Sequence, residues 1–230
     1  MNISQIIDDQ LTILNESEKR KHKSREPGIF YASEAMQCPR KIYISIMHPD
    51  KISKKMPLGL FKMAKHAEES IISCLRSTPG IILEEQIGLK YNVSPKVMIH
   101  GYIDFALLND NGKITEIYEI KSIGNISYIS KSDTAKLHHR SQLQCYLQNK
   151  QCDKGGIIYA ERGDILKIKQ FNDTLDSELW KRIKEHFTLL SDTMDDKKIP
   201  LPIPIESWEC RYCEFNDDCK VERKKLKIKL

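Results

Sequence analysis

Apolar residues recur along the chain with two spacings, and the change from one to the other predicts an α/β protein. Ile3, Ile6, Ile7, Leu11 and Leu14 form one stripe of an otherwise polar segment, which predicts a helix over residues 1–24 that stops before Pro27-Gly28. A second helix is predicted to start at Ser33, whose hydroxyl suits a first-turn cap, and to carry Cys38 onward to Ile46 with a bend at Pro39. The span from Leu58 to Leu75 predicts a third, with His66 in its middle. From Ile81 the period shortens towards two. Residues 81–93, 97–108 and 114–123 are expected as strands, the last two joined by a turn at Asp110-Asn111-Gly112. A helix over 134–148, strands over 156–160 and 165–171, and a long helix over 175–194 complete the pattern. The Pro-rich stretch from Ile199 to Ile205 lacks amide donors and is expected as an extended connector.

Composition narrows the class. A chain of 230 residues suits one domain with an appendage. It shows no apolar run near the roughly 20 residues that cross a bilayer, and Met1 to Gln10 lacks the basic start of a signal peptide. A cytoplasmic protein without a membrane partner is expected, in the host cytoplasm if the source is viral. In that compartment seven cysteines are poor material for disulfides, so a clustered subset points to metal. The net charge of +5 is modest, but basic runs at Lys19 to Arg25 and Lys220 to Lys229 suit phosphate contacts as well as they suit a solvated face.

The candidate chemistry lies in the strands. Gly101-Tyr102-Ile103-Asp104 is followed, one turn later, by Glu119-Ile120-Lys121. Alternate side chains of a strand share a face, so Glu119 and Lys121 point one way and Ile120 the other. A hairpin closed near Gly112 brings Asp104 opposite the stretch 117–119, where cross-strand side chains approach within about 5 Å. Two carboxylates so close repel unless a hard cation such as Mg²⁺ or Mn²⁺ lies between them. The cation polarises a phosphate and acidifies a bound water, and Lys121 orients that water and offsets charge on the phosphorane. An exposed Glu-x-Lys is common on strands and says little alone; the order and separation of the two motifs say more. Gln142 and Tyr146, four apart on a predicted helix, share a face and suit a phosphate or an ordered water network. His138, His139 and His48-Pro49-Asp50 are read as ordinary surface or core positions.

Cysteines cluster at one end. Cys210, Cys213 and Cys219 lie within ten residues, which leaves a four-thiolate site one ligand short, and Cys38 in Cys38-Pro39-Arg40-Lys41 is the best fourth. Spacing alone admits Zn²⁺ or a [4Fe–4S] cluster, and composition favours zinc. Cys74, Cys145 and Cys152 are expected to be packing residues. Trp208, Arg211 and Tyr212 suit either packing over the metal or contact with a single strand.

Taken in order, His66, Gly101-x-x-Asp104, Glu119-x-Lys121 and Gln142-x-x-x-Tyr146 resemble the RecB-like branch of the PD-(D/E)XK nucleases, over roughly residues 59–146. Ile103 stands where the family's name has proline. The resemblance implies a restriction-endonuclease-like core, a mixed sheet flanked by helices. It implies that His66, Asp104, Glu119 and the carbonyl of Ile120 ligate the divalent metal, that Lys121 is catalytic, and that Gln142 and Tyr146 support DNA and the site. One cysteine before the core and three after it resemble the iron–sulfur members, above all the CRISPR-associated exonucleases of the fourth Cas protein family or a viral relative. That favours a [4Fe–4S] cluster on Cys38, Cys210, Cys213 and Cys219 over structural zinc. The expected organisation is a helical segment at 1–57, a nuclease core at 58–198 and a cysteine-rich segment with a basic tail at 199–230. The expected activity is metal-dependent hydrolysis of DNA from single-stranded ends, 5′ to 3′ by family resemblance. Its expected partners are DNA and the CRISPR integrase proteins, with oligomerisation open. A catalytically silent DNA-binding subunit of an integrase or recombination complex, and an RNA nuclease, are the rival expectations.

Overall fold

The computed structural model describes residues 2, 3, 5, 6, 9, 10, 12–14, 25–51, 58–204 and 209–225. In chain order the elements are β1 (Ile29–Tyr31), α1 (Pro39–Met47), α2 (Leu58–Arg76), β2 (Ile82–Ser94), β3 (Val97–Leu108) and β4 (Ile114–Ile123). There follow α3 (Ser127–Ser130), α4 (Leu137–Lys150), β5 (Lys154–Glu161), β6 (Asp164–Thr174), α5 (Ser177–Asp195), α6 (Glu209–Tyr212) and α7 (Asn216–Lys225). The predicted strands and the helices after residue 58 are present, within a few residues of their expected ends. Described residues from Ile3 to Leu14 are helical, and Ile3, Ile6 and Leu14 of the stripe are exposed; Ile7, Leu11 and residues 15–24 lie outside the described residues.

The expected helix from Ser33 divides in two. A single 3-10 turn covers Ala32–Glu34, and α1 begins afresh at Pro39 with Cys38 as its N-cap. Proline fits the first helical position because the amide it lacks has no intrahelical partner there, so Pro39 starts a helix and bends none. Ser33 caps nothing: the carboxylate of Glu34 accepts from the Tyr31 N–H at 2.8 Å and from Arg25 at 2.6 and 2.8 Å.

Six strands form one mixed sheet. β2 runs antiparallel along nearly the whole of β3. The opposite edge of β3 is shared: β1 pairs in parallel with Met98–His100, and β4 pairs antiparallel from Phe105 onward. Residues 101–104 lie between these two partners. β4 then continues in parallel with β5 from Ile117 to Ile123, so the sheet forks beside Asp104. α4 and α5 cover one face, where Leu143, Tyr146, Leu147, Ile183 and Phe187 are buried with Ile99, Ile103, Ile117 and Ile157. α2 covers the other, where Ile71 and Ile72 pack on Phe105, Tyr118, Ile120 and Ile158. None of the described helices is long and apolar enough to cross a membrane.

Candidate active site

The fork in the sheet decides where Asp104 goes. The last ladder pair between β3 and β4 is Phe105 with Tyr118, so one step further Asp104 meets the stretch at Glu119 where the strands part. There the Asp104 carboxylate replaces a ladder partner, and its Oδ2 accepts from the Ile120 N–H at 2.6 Å. Burial, then the charge of Glu119, pushes the Asp104 carboxyl well above the usual carboxylate range, against the pull of the Ile120 N–H. The two motifs are therefore one site.

Glu119 is 3% exposed and points towards α4. Its Oε1 accepts from Lys121 Nζ at 2.6 Å and from Gln142 Nε2 at 2.9 Å. The Gln142 Oε1 accepts from the same ammonium at 2.9 Å, and Nε2 also donates to the Tyr146 hydroxyl at 2.7 Å. A carboxylate can only accept and an ammonium can only donate, so these neighbours dictate the amide's orientation. Burial first and Glu119 second hold the Tyr146 phenol well above its ordinary value, and it stays protonated. Gly101 belongs to the same construction, because a Cβ there would stand 3.2 Å from the Ala32 Cβ and 3.3 Å from a ring carbon of Tyr146. The motif glycine is what lets α4 lie close enough for Tyr146 and Gln142 to reach.

One atom of this network has no partner. Glu119 Oε2 is buried and finds no hydrogen bond among the described residues. A buried carboxylate oxygen left bare is costly, and beside the half-buried Asp104 it suits a cation. The donor chemistry, hard carboxylate oxygens, fits Mg²⁺ or Mn²⁺. His66 stands exposed on α2. Two residues along that helix is Glu68, which the sequence analysis passed over: its carboxyl is raised by burial and then by the charge of Glu119. Its signal in the sequence was only a place near His66.

All seven cysteines are thiols outside any disulfide. Cys38, Cys210, Cys213 and Cys219 line one cavity of about 130 Å³, to which α1, α6 and α7 bring them from opposite ends of the chain. Among the described residues no three His, Cys, Asp or Glu side chains already stand as a metal-ligating set. The sulfur donor set fits a thiophilic metal centre. Burial pushes the Cys38 thiol up to about 11, against the backbone N–H groups of Lys41 and Arg40. His138, read as ordinary from sequence, is on the cavity wall, and burial lowers its ring to about 4. His139 does serve packing, with Nδ1 2.7 Å from the Tyr159 hydroxyl. Cys145 and Cys152 are buried as expected, whereas Cys74 is exposed. Arg211 is exposed; Trp208, the Tyr212 side chain, residues 19–24 and 226–229 of the basic runs and the side chains of 221–225 lie outside the described residues.

No family model matches the chain. It is 26% identical over 198 residues to the CRISPR-associated exonuclease Cas4 of Saccharolobus solfataricus, covering 85% of this chain and 89% of that protein. The crystal structure of SSO0001 superposes with a TM-score of 0.66 at 22% identity, over 96% of this chain and 98% of that one. An alkaline exonuclease from Laribacter hongkongensis (LHK-Exo) is more distant, with a TM-score of 0.47 at 12% identity over 74% of this chain and 90% of that one. With its forked mixed sheet and the motifs that converge at the fork, the chain is similar in sequence to the Cas4 exonuclease and shares the fold of SSO0001, a restriction-endonuclease-like mixed sheet flanked by helices.

Proposed function

We propose that the chain is a divalent-metal-dependent deoxyribonuclease that hydrolyses phosphodiester bonds from single-stranded ends, 5′ to 3′. The observation that carries this is the bare, buried Oε2 of Glu119, whose charge acts on Asp104, with Lys121 fixed beside it. The likeness to a protein named as an exonuclease supports the same reading. Asp104, Glu119 and the carbonyl of Ile120 would hold the metal, and the family resemblance adds His66 from α2. A cation bound there supplies Lewis acidity and lowers the pKa of a ligated water. Lys121, held by Glu119 and Gln142, orients that water and offsets negative charge on the phosphorane. Gln142 keeps Lys121 and Glu119 in register, and Tyr146 fixes Gln142 from below.

Cys38, Cys210, Cys213 and Cys219 are proposed to hold a [4Fe–4S] cluster, which would crosslink the segments before and after the nuclease core. A place in CRISPR spacer acquisition, beside integrase proteins, is the finer proposal. The test is cleavage of end-labelled single-stranded DNA, duplex DNA and RNA with Mn²⁺ or EDTA. The expected result is Mn²⁺-dependent loss of the 5′ label from single-stranded DNA, abolished in Glu119→Gln. Cleavage in EDTA, or undiminished in Glu119→Gln, rejects the proposed site; cleavage of RNA alone rejects the substrate.

A further inference from the structure

We propose that Glu68 is a further carboxylate of the divalent-metal site and that Gln86 is the residue that positions it; this rests on the metal-dependent reading above. The starting point is a gap in the longest ladder of the sheet. Glu85 pairs with Phe105 and Ile87 pairs with Ile103, but the step between them, Gln86 against Asp104, is left out of the pairing. Gln86 has φ +52°, a left-handed conformation, inside a strand of 13 residues. Among the described residues, the other non-glycine positions with positive φ, Met36, Gln151 and Lys197, lie outside the helices and strands. Such a conformation costs about 1–3 kcal/mol and persists where the surroundings demand it.

The pleat turns over at this step. Leu83 of β2 and Phe105 of β3 pack on the α2 side of the sheet, whereas Ile87, Leu89 and Ile103 pack on the α4 and α5 side. Residues two apart should share a face, so both strands reverse their faces at the Gln86–Asp104 step. The reversal puts Asp104 at the hinge and turns the Gln86 side chain towards α2. There Gln86 Nε2 donates to Glu68 Oε1 at 2.7 Å. A single bond to one oxygen orients a carboxylate and leaves its remaining lone pairs for another partner.

Two observations say what that partner is. Glu119 Oε2 is buried without a hydrogen bond among the described residues. Glu119 is also the charge that Glu68 feels most, and Glu68 is the next charge that Asp104 feels after Glu119. Three carboxylates that act on one another's charge are unfavourable together without a cation, although among the described residues no three such side chains stand as a ready-made ligating set. Glu68 also lines a cavity of about 400 Å³, with Gln86, Phe61, Lys65, Glu69 and Glu85, which has room for a hydrated cation and a phosphate.

The test is Mn²⁺ binding to the full chain, without DNA, by titration calorimetry, with Tm measured alongside. Glu119→Gln should abolish binding, and Glu68→Gln should weaken it by about tenfold or more. Glu185→Gln, exposed on α5 across the sheet, should leave the Kd unchanged. Gln86→Gly keeps the left-handed backbone without strain and removes the amide, so Tm should hold while the Kd rises several-fold. If Glu119→Gln abolishes binding and Glu68→Gln matches the wild type, the assignment of Glu68 is overturned and the site stands. An unchanged Kd with a lowered Tm in Gln86→Gly makes Gln86 structural and overturns its positioning role. Binding that survives in Glu119→Gln removes the metal reading and this proposal with it.

Discussion

Asp104 carries the site's electrostatic strain in a form that pH can read. Its carboxyl is raised by burial and by Glu119, so ionising it in the folded chain costs more than in the unfolded chain. A carboxyl raised in the folded state contributes stability below its unfolded pKa and loses it as pH rises through the folded value. In EDTA, Asp104→Asn should match the wild type in Tm near about pH 4 and exceed it increasingly towards about pH 7. Asparagine can still accept from the Ile120 N–H, so thermal melts along a pH series isolate the charge; a difference constant with pH would refute the raised carboxyl. Added Mn²⁺ should reverse the order at the upper end, because the cation needs the ionised carboxylate. Gly101 permits a second test by shape alone. Gly101→Val would crowd Ala32 and the Tyr146 ring, displace Gln142 and lower cleavage at least about tenfold, at a cost of about 1–3 kcal/mol in urea unfolding.

At the scale of elements, α5 is the clamp on the far side of the sheet from α2. Its N-terminus is capped by Asp176, whose side chain accepts from the Leu179 N–H at 2.9 Å. Its buried stripe, Leu179, Trp180, Ile183, Phe187, Leu190 and Met194, has helical spacing and meets β1 through Phe187, stacked on Phe30 at 4.8 Å between ring centroids. Both rings are fully buried. Phe187→Ala should therefore cost about 3–5 kcal/mol, seen as a lower urea midpoint with an unchanged slope. Mn²⁺ affinity should survive where the variant is folded, because α5 supplies no residue to the metal site; its loss would tie α5 to the chemistry. α4 has the opposite design: Ser141 to Leu147 are all buried, since the helix is wedged between sheet, α5 and the 3-10 turn. Its amphipathic stripe was correspondingly hard to see in the sequence, yet Gln142 and Tyr146 were found there by their spacing.

Across the whole molecule the four cysteines line one cavity between segments from opposite ends of the chain. Protein prepared without oxygen should be brown, with iron and sulfide near about four of each per chain if a [4Fe–4S] centre is present. Cys38→Ser, Cys210→Ser, Cys213→Ser or Cys219→Ser should bleach it and lower Tm, whereas Cys74→Ser, Cys145→Ser and Cys152→Ser should leave it brown. Colourless anaerobic protein with stoichiometric zinc would reject the cluster and leave the nuclease proposal intact. The strand alternation at 97–108 and 114–123, the Asp-Asn-Gly turn and the helical spacing of Gln142 and Tyr146 were legible because they are local: neighbouring residues and the period of the backbone suffice to set them. Pro39 was misread as a bend because its role depends on where the helix starts, which the contacts of Arg25, Tyr31 and Glu34 decide from outside it. Gln86 gave no signal and Glu68 only its place near His66, since their meeting needs a helix and a strand, with the two residues 18 apart in sequence, to face each other. The sequence by itself determined the elements and the acidic motif; only the tertiary structure decided the forked sheet, the overturned pleat at Gln86–Asp104 and the bare oxygen of Glu119. Each of these is a property of strands and helices in contact, set by long-range pairing and by burial that no local pattern of residues encodes.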